Sequence, residues 1–308
     1  MSLLCILAAL FTEQLRPLSH PSVFELAFER YANRLARHFN AGEALHGAIG
    51  WVLGVMPWVI LALVIHGALA ALSPLLGWVF AVAVLYASIN FKPATLAYTA
   101  IADALRVGDL DRARELLARW RDESSAQWSE PEIARAAIET LLVRAHRDLL
   151  AIIAWFVVLP APAGAVLYKL SAILMERWGR CADEELGAFG HFASSVFWLL
   201  DWVPLRLTAI GFAIAGDLED ALQCWRTQAR AWLDPEAGVI LASGAGALGA
   251  RLGGPLSKDG GVNYRPELGT GDEPDVNYMQ SAVGLVWRTL VIWLVVLLLV
   301  TLARWVGA

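Results

Sequence analysis

"AIGWVLGVMPWVILALVIHGALAAL", residues 48–72, contains no Lys, Arg, Asp or Glu. A bilayer core takes roughly 20 apolar helical residues to cross, and this run is long enough to do so. The dipeptide Ser73-Pro74 then turns the chain, and residues 75–91, "LLGWVFAVAVLYASINF", make a second, slightly short apolar run. Together they predict a transmembrane hairpin over 48–91. Its turn is uncharged, whereas its outer flanks are basic: Arg30, Arg34 and Arg37 before it, Lys92 and Arg106 after it. The positive-inside tendency places both flanks in the cytoplasm, and the expected location is a bacterial inner membrane crossed several times.

The whole chain agrees with that solvent. Its 308 residues are 58% hydrophobic and 17% charged, with a mean hydropathy of +0.54. A soluble domain carries about a quarter charged residues. The net charge of −5 argues against a nucleic-acid partner. Cys5, Cys181 and Cys224 are dispersed and odd in number, so free thiols are expected rather than a disulfide framework. His20, His38, His46, His66, His146 and His191 show no ligand spacing, and no metal site is expected from them. The start, "MSLLCILAALFTEQLRP", has neither a basic n-region nor a cleavage pattern; it is expected to form a short apolar helix rather than a secretory signal.

Outward from the hairpin the pattern alternates. Residues 92–148 are polar and helically periodic. Gly108-Asp109 supplies a stop and an N-cap, and Ser129 with Pro131 supplies another helix start. Ile133, Ala137, Ile138, Leu141, Leu142 and Ala145 share one apolar face, and Arg135 and Glu139 are spaced to pair on another. This reads as a layer of cytoplasmic amphipathic helices. Residues 149–215 read as broken membrane elements, because Pro160, Pro162 and Gly164 interrupt the first of them. Residues 216–281 read as a surface helix and a Gly-rich loop, and 282–303 as a C-terminal transmembrane helix. The expected architecture is therefore an all-α integral membrane protein, a single domain over 1–308 with four to five membrane elements. The motif "GAGALG" (244–249) has the letters of a dinucleotide fingerprint, but no strand–helix alternation surrounds it. A small-faced helix for close packing is the better reading.

Within 192–215, "DWVPLRL" (201–207) places Asp201 and Arg206 in an apolar setting, where charge is costly. Pro204 favours a first turn, with Asp201 near the N-cap of a helix starting there and both charges facing a polar cavity.

The segments "DWVPLRLTA", "ARAAIET" (134–140) and "AGALGARLGGP…GGVNYRPELGTG" (245–271), in that setting, resemble the CobD/CbiB family of cobalamin-biosynthesis membrane proteins. His20-Pro21, "GDLDRAR" (108–114) and "PAGAVLYK" (162–169) follow the family's order, so the likeness covers nearly the whole chain. The resemblance implies ATP-dependent amide formation between a corrinoid acid and aminopropanol or its phosphate, with Mg-ATP as the cofactor. It implies a lipid bilayer and a corrinoid as partners, and it is compatible with a homo-oligomer. The candidate substrate-binding residues are Glu139, Asp201, Arg206, Arg251, Arg265 and Glu267. The arginines would take phosphate or carboxylate, and the acids would orient them or hold a metal. No catalytic residue is assigned. The chain departs from the family's acidic runs, with Val143, Arg144 and Arg147 after "ARAAIET", Ala172 and Met175 after "LYK", and Phe197 and Trp198 before "DWVPLRL". "LDWVPLRL" also resembles the AmpE proteins linked to β-lactamase induction, which makes a non-enzymatic signalling or accessory protein the alternative expectation, with no cofactor.

Overall fold

The computed structural model describes residues 2–17, 22–40, 43–160, 162–179, 186–258 and 261–306. Cys181, His20 and Pro21 lie outside the described residues. Thirteen α-helices are described: α1 Ser2–Leu15, α2 Val23–Phe39, α3 Ala44–Leu72, α4 Pro74–Ser88, α5 Phe91–Arg106, α6 Leu110–Arg121, α7 Glu130–Ala145, α8 Ala151–Val158, α9 Ala163–Leu174, α10 Gly187–Ala215, α11 Leu218–Gln228, α12 Pro235–Leu248 and α13 Val276–Val306. Four short strands lie between α12 and α13: β1 Leu252–Gly253, β2 Leu256–Lys258, β3 Gly261–Asn263 and β4 Glu267–Leu268. They form two antiparallel pairs, β1 with β4 and β2 with β3.

Four stretches are long and apolar enough to cross a bilayer: Ala44–Leu72, Pro74–Arg106, Gly187–Ala215 and Val276–Val306. The protein is an all-α membrane protein. The second span runs further than the sequence suggested, because helix resumes at Phe91 after Ile89 and Asn90 and carries buried Ala94, Tyr98, Ile101 and Leu105. The chain divides into two compact units, Met1–Asn90 with Arg147–Pro204, and Phe91–His146 with Leu205–Ala308.

In the first unit, the interrupted stretch after residue 149 resolves into two short helices. α8 continues α7 through a π turn at His146–Leu150, and α9 runs on into a second π turn at Met175–Gly179. They pack on each other where Gly164 meets the Trp155 carbonyl, a place with no room for a Cβ. The core around α2, α3 and α9 is built from Phe28, Trp51, Val55, Leu170, Leu174, Trp178 and Phe189.

The expected helix start near Asp201 is not present. α10 runs continuously from Gly187 to Ala215 with Pro204 inside it. Proline removes the N–H that would serve the carbonyl four residues back, here Leu200. The Trp155 indole N–H donates to that carbonyl at 3.0 Å, so a side chain from α8 fills the gap and the helix survives. Asp201 is thereby mid-helix, fully buried, and accepts a 2.7 Å hydrogen bond from the Tyr168 hydroxyl.

In the second unit, α7 is buried on every side rather than on one face. Ala134 and Ala136 are as inaccessible as Ile133, Ile138 and Leu141. Helices α5, α6, α12 and α13 surround it. Expected caps are in place: Asp109 accepts from the Arg112 N–H, and Ser129 is bonded to Glu132 through its own N–H and hydroxyl. The "GAGALG" stretch is the C-terminal half of α12. A Cβ on Gly246 would lie 2.5 Å from the Asp220 carbonyl oxygen, so α12 and α11 touch backbone to backbone. Tyr98 ties α5 to α13 by donating to the Met279 carbonyl at 2.8 Å.

Candidate functional site

Helix α7 carries Glu132, Arg135 and Glu139, spaced three and four apart and so on one stripe of the helix. Opposite the stripe runs the loop stretch Gly253–Ser257. The two are matched residue by residue. Glu132 accepts from the backbone N–H and hydroxyl of Ser257 at 2.9 and 3.0 Å. Arg135 Nη2 donates to the Pro255 carbonyl at 2.8 Å. Glu139 Oε1 accepts from the Gly253 N–H at 2.8 Å. Just before α7, the Trp128 indole N–H donates to the Ser257 carbonyl at 2.6 Å. Ser257, Pro255 and Gly253 thus meet successive turns of the helix.

Arg265 closes this arrangement from the far side of the loop. Its Nη1 and Nη2 donate to Glu139 at 2.8 and 3.1 Å, a bidentate pair. Its Nε donates to the Gly254 carbonyl at 3.1 Å and Nη2 also reaches the Gly253 carbonyl at 3.3 Å. The guanidinium lies over the Trp232 ring, 5.2 Å from its centroid. Arg121 adds a more distant charge, 4.0 Å from Glu139, while donating to Ala136 and Thr140.

Burial penalises the ionised Glu132 carboxyl, but its hydrogen bonds from Ser129 and Ser257 outweigh that, and its pKa falls below the ordinary glutamate value. Glu139 is 4% exposed and Arg135 6%, so they are not the solvent-exposed pair that their spacing suggested. They bond to loop groups and to Arg265, because the loop covers this stripe of α7.

Of the six candidate residues, the structure brings Glu139 and Arg265 into contact. Glu267 is exposed and stands opposite Gly253 in the β1–β4 pair. Arg251 is exposed, with its backbone N–H on the Asp272 carbonyl. Asp201 belongs to the first unit, bonded to Tyr168; Arg206 belongs to the second and is half-buried.

The sequence reading passed over one buried cluster entirely. In the first unit, Lys169 Nζ lies 2.8 Å from Glu25 and 3.5 Å from Asp148. All three are buried, and Lys169 also borders an apolar groove of about 320 Å³ lined by Trp58, Leu61, Phe80 and Val84. The partners lie 144 and 21 residues from Lys169 in sequence, so no local spacing could signal them.

No three His, Cys, Asp or Glu among the described residues are placed to share a metal. Both oxygens of Glu139 are held by guanidinium and backbone donors, and Glu25 and Asp148 share an ammonium. Magnesium bound by one or two carboxylates plus phosphates would have to displace one of these cations.

A family model described as CobD/Cbib protein matches residues 3–286. A protein of Stutzerimonas stutzeri (strain A1501) named Cobalamin biosynthesis protein CobD is 38% identical over 297 residues, 95% of this chain and 94% of its own length. One of the same name from Chromobacterium violaceum is 37% identical over 212 residues, 69% of this chain and 67% of its own. Another, from Mycobacterium tuberculosis (strain ATCC 25618 / H37Rv), is 31% identical over 190 residues, 60% of each chain. No solved structure matches. None of these relatives supports the AmpE-like alternative.

Proposed function

The chain belongs to the CobD/Cbib family of cobalamin biosynthesis proteins, and from that premise we propose that it catalyses ATP-dependent amide formation at a membrane. The acid is a propionate side chain of a corrinoid and the amine is aminopropanol or its phosphate. The observation that carries this reading is the extent of the family match, 284 positions from residue 3 to residue 286.

An ionised carboxylate and an amine do not condense unaided. The carboxylate oxygen attacks the γ-phosphorus of ATP and ADP leaves. The amine nitrogen then attacks the acyl carbon, phosphate leaves, and the nitrogen gives up its proton. The carboxylate, ATP, the acyl phosphate, ADP and phosphate along this path are all oxyanions, so the protein's part is to hold negative charge in place. The guanidinium groups gathered where α7 meets Gly253–Arg265 suit that part. Glu139 and Arg265 serve as the clamp that fixes the loop. No step is routed through a protein-bound magnesium.

Purified protein in detergent, supplied with a corrinoid acid, aminopropanol phosphate and Mg-ATP, should form the amide with one ADP released per bond. Mass spectrometry of the corrinoid and coupled ADP detection check this. Folded protein that yields neither product with either amine contradicts the reading.

A further inference from the structure

Arg135 on α7 and Arg265 on the loop that faces it are used very differently. A guanidinium has five N–H donors. Arg265 makes four hydrogen bonds, two of them to a carboxylate. Arg135 makes one, to the Pro255 carbonyl, and its Nε is buried with no partner at all. The carboxylates one turn away on either side, Glu132 and Glu139, have their hydrogen bonds with Ser129, Ser257, Gly253 and Arg265. Arg135 has no ion pair within 4.0 Å among the described residues, although it is 94% buried by its 6% exposure. A buried, uncompensated cation is expensive, and an incoming anion relieves the cost.

Gly254 packs directly over the Arg135 guanidinium. A Cβ there would sit 3.0 Å from Arg135 Nη1 and 3.6 Å from Glu267 Cγ. Gly254 has φ +72°, so it is glycine both for its backbone and for its close approach to the guanidinium beneath it.

We propose that Arg135, beneath Gly254, binds a phosphate group carried by a small-molecule ligand. The site rests on the geometry; the choice of a phosphate monoester as ligand rests on the amide-forming reading above, in which aminopropanol phosphate is a substrate. Arg135 is the binding group, and Arg265 with Glu139 positions the loop that roofs it.

The test needs neither ATP nor corrinoid, so it is independent of turnover. Full-length protein in detergent is titrated calorimetrically with inorganic phosphate, aminopropanol phosphate and acetate. Wild type should bind both phosphates saturably. Arg135→Met and Gly254→Ala should each weaken that binding by about tenfold or more, and exposed Arg226→Met should leave it unchanged. Because either site variant could fold poorly, wild type is also treated with phenylglyoxal, and phosphate should protect Arg135 in the peptide mass spectrum. The site is overturned by no phosphate binding up to about 10 mM, by unchanged binding in Arg135→Met, or by binding without protection of Arg135. Acetate binding as tightly as phosphate overturns the choice of ligand. Phosphate binding by a protein that makes no amide would sink the amide-forming reading and leave the site standing.

Discussion

Two buried cations, Lys169 in the first unit and Arg135 in the second, are treated in opposite ways. Lys169 sits between two carboxylates at 2.8 and 3.5 Å, and its charge is closed within the protein. Arg135 is equally buried but holds one carbonyl oxygen. The second unit does not lack carboxylates near Arg135. Glu132 and Glu139 flank it by one turn each, and both are spent on the Gly253–Ser257 backbone. A ligand-ready cation arises here because its neighbours are committed elsewhere. The first cluster is closed by its own charges; the second leaves a cation whose nearest carboxylates are committed, which is the basis of the proposed phosphate site.

That contrast can be broken at several points. Lys169→Met removes the cation shared by Glu25 and Asp148 and should cost about 3–5 kcal/mol, read by denaturant or thermal unfolding in detergent. An unchanged midpoint would mean that the cluster is not closed by charge. Glu139→Gln keeps an acceptor for Gly253 but takes the charge from Arg265. A loss of about 2–3 kcal/mol is expected, with faster proteolysis of the 252–268 loop as a second readout. Trp155→Phe leaves the Leu200 carbonyl unserved and should cost about 1 kcal/mol. The penalty should vanish in a Pro204→Ala background, where the backbone N–H returns; a penalty that persists would show that the indole matters through packing alone.

The smallest effect concerns pH. The folded Glu132 pKa lies below its unfolded value, so the carboxylate's contribution is complete above the unfolded pKa. It is lost as pH falls through the folded pKa. Acidification below the ordinary carboxylate range should therefore loosen the Ser257 anchor. Hydrogen exchange of the Ser257 amide should accelerate with acid relative to its intrinsic rate in wild type, and the acid dependence should flatten in Glu132→Gln.

Much of the fold was legible locally. The 48–72 run, the C-terminal span, the Ser129–Pro131 helix start and the small-residue face of α12 are all stated by neighbours in sequence. What was hidden depends on distant groups. Pro204 looks like a helix start until Trp155, 49 residues earlier, is seen to serve the Leu200 carbonyl. Lys169 was visible in "LYK", but Glu25 was not visible as its partner. At the candidate site, the four-residue spacing of Arg135 and Glu139 reads as an ion pair on the polar face of an amphipathic helix, and Glu132 gives no signal of its own. Only the loop more than a hundred residues later shows that the stripe is covered, and that the arginine left without a carboxylate is Arg135 rather than Arg265.

The most direct measurement compares unfolding of Arg135→Met and Lys169→Met, side by side in one detergent and free of phosphate. Arg135→Met should shift stability by no more than about 1 kcal/mol, because it loses one carbonyl hydrogen bond and sheds an uncompensated charge. Lys169→Met should lose several times as much. Equal large losses would contradict the account, since they would mean that the protein itself compensates Arg135 and leaves nothing for a ligand to complete.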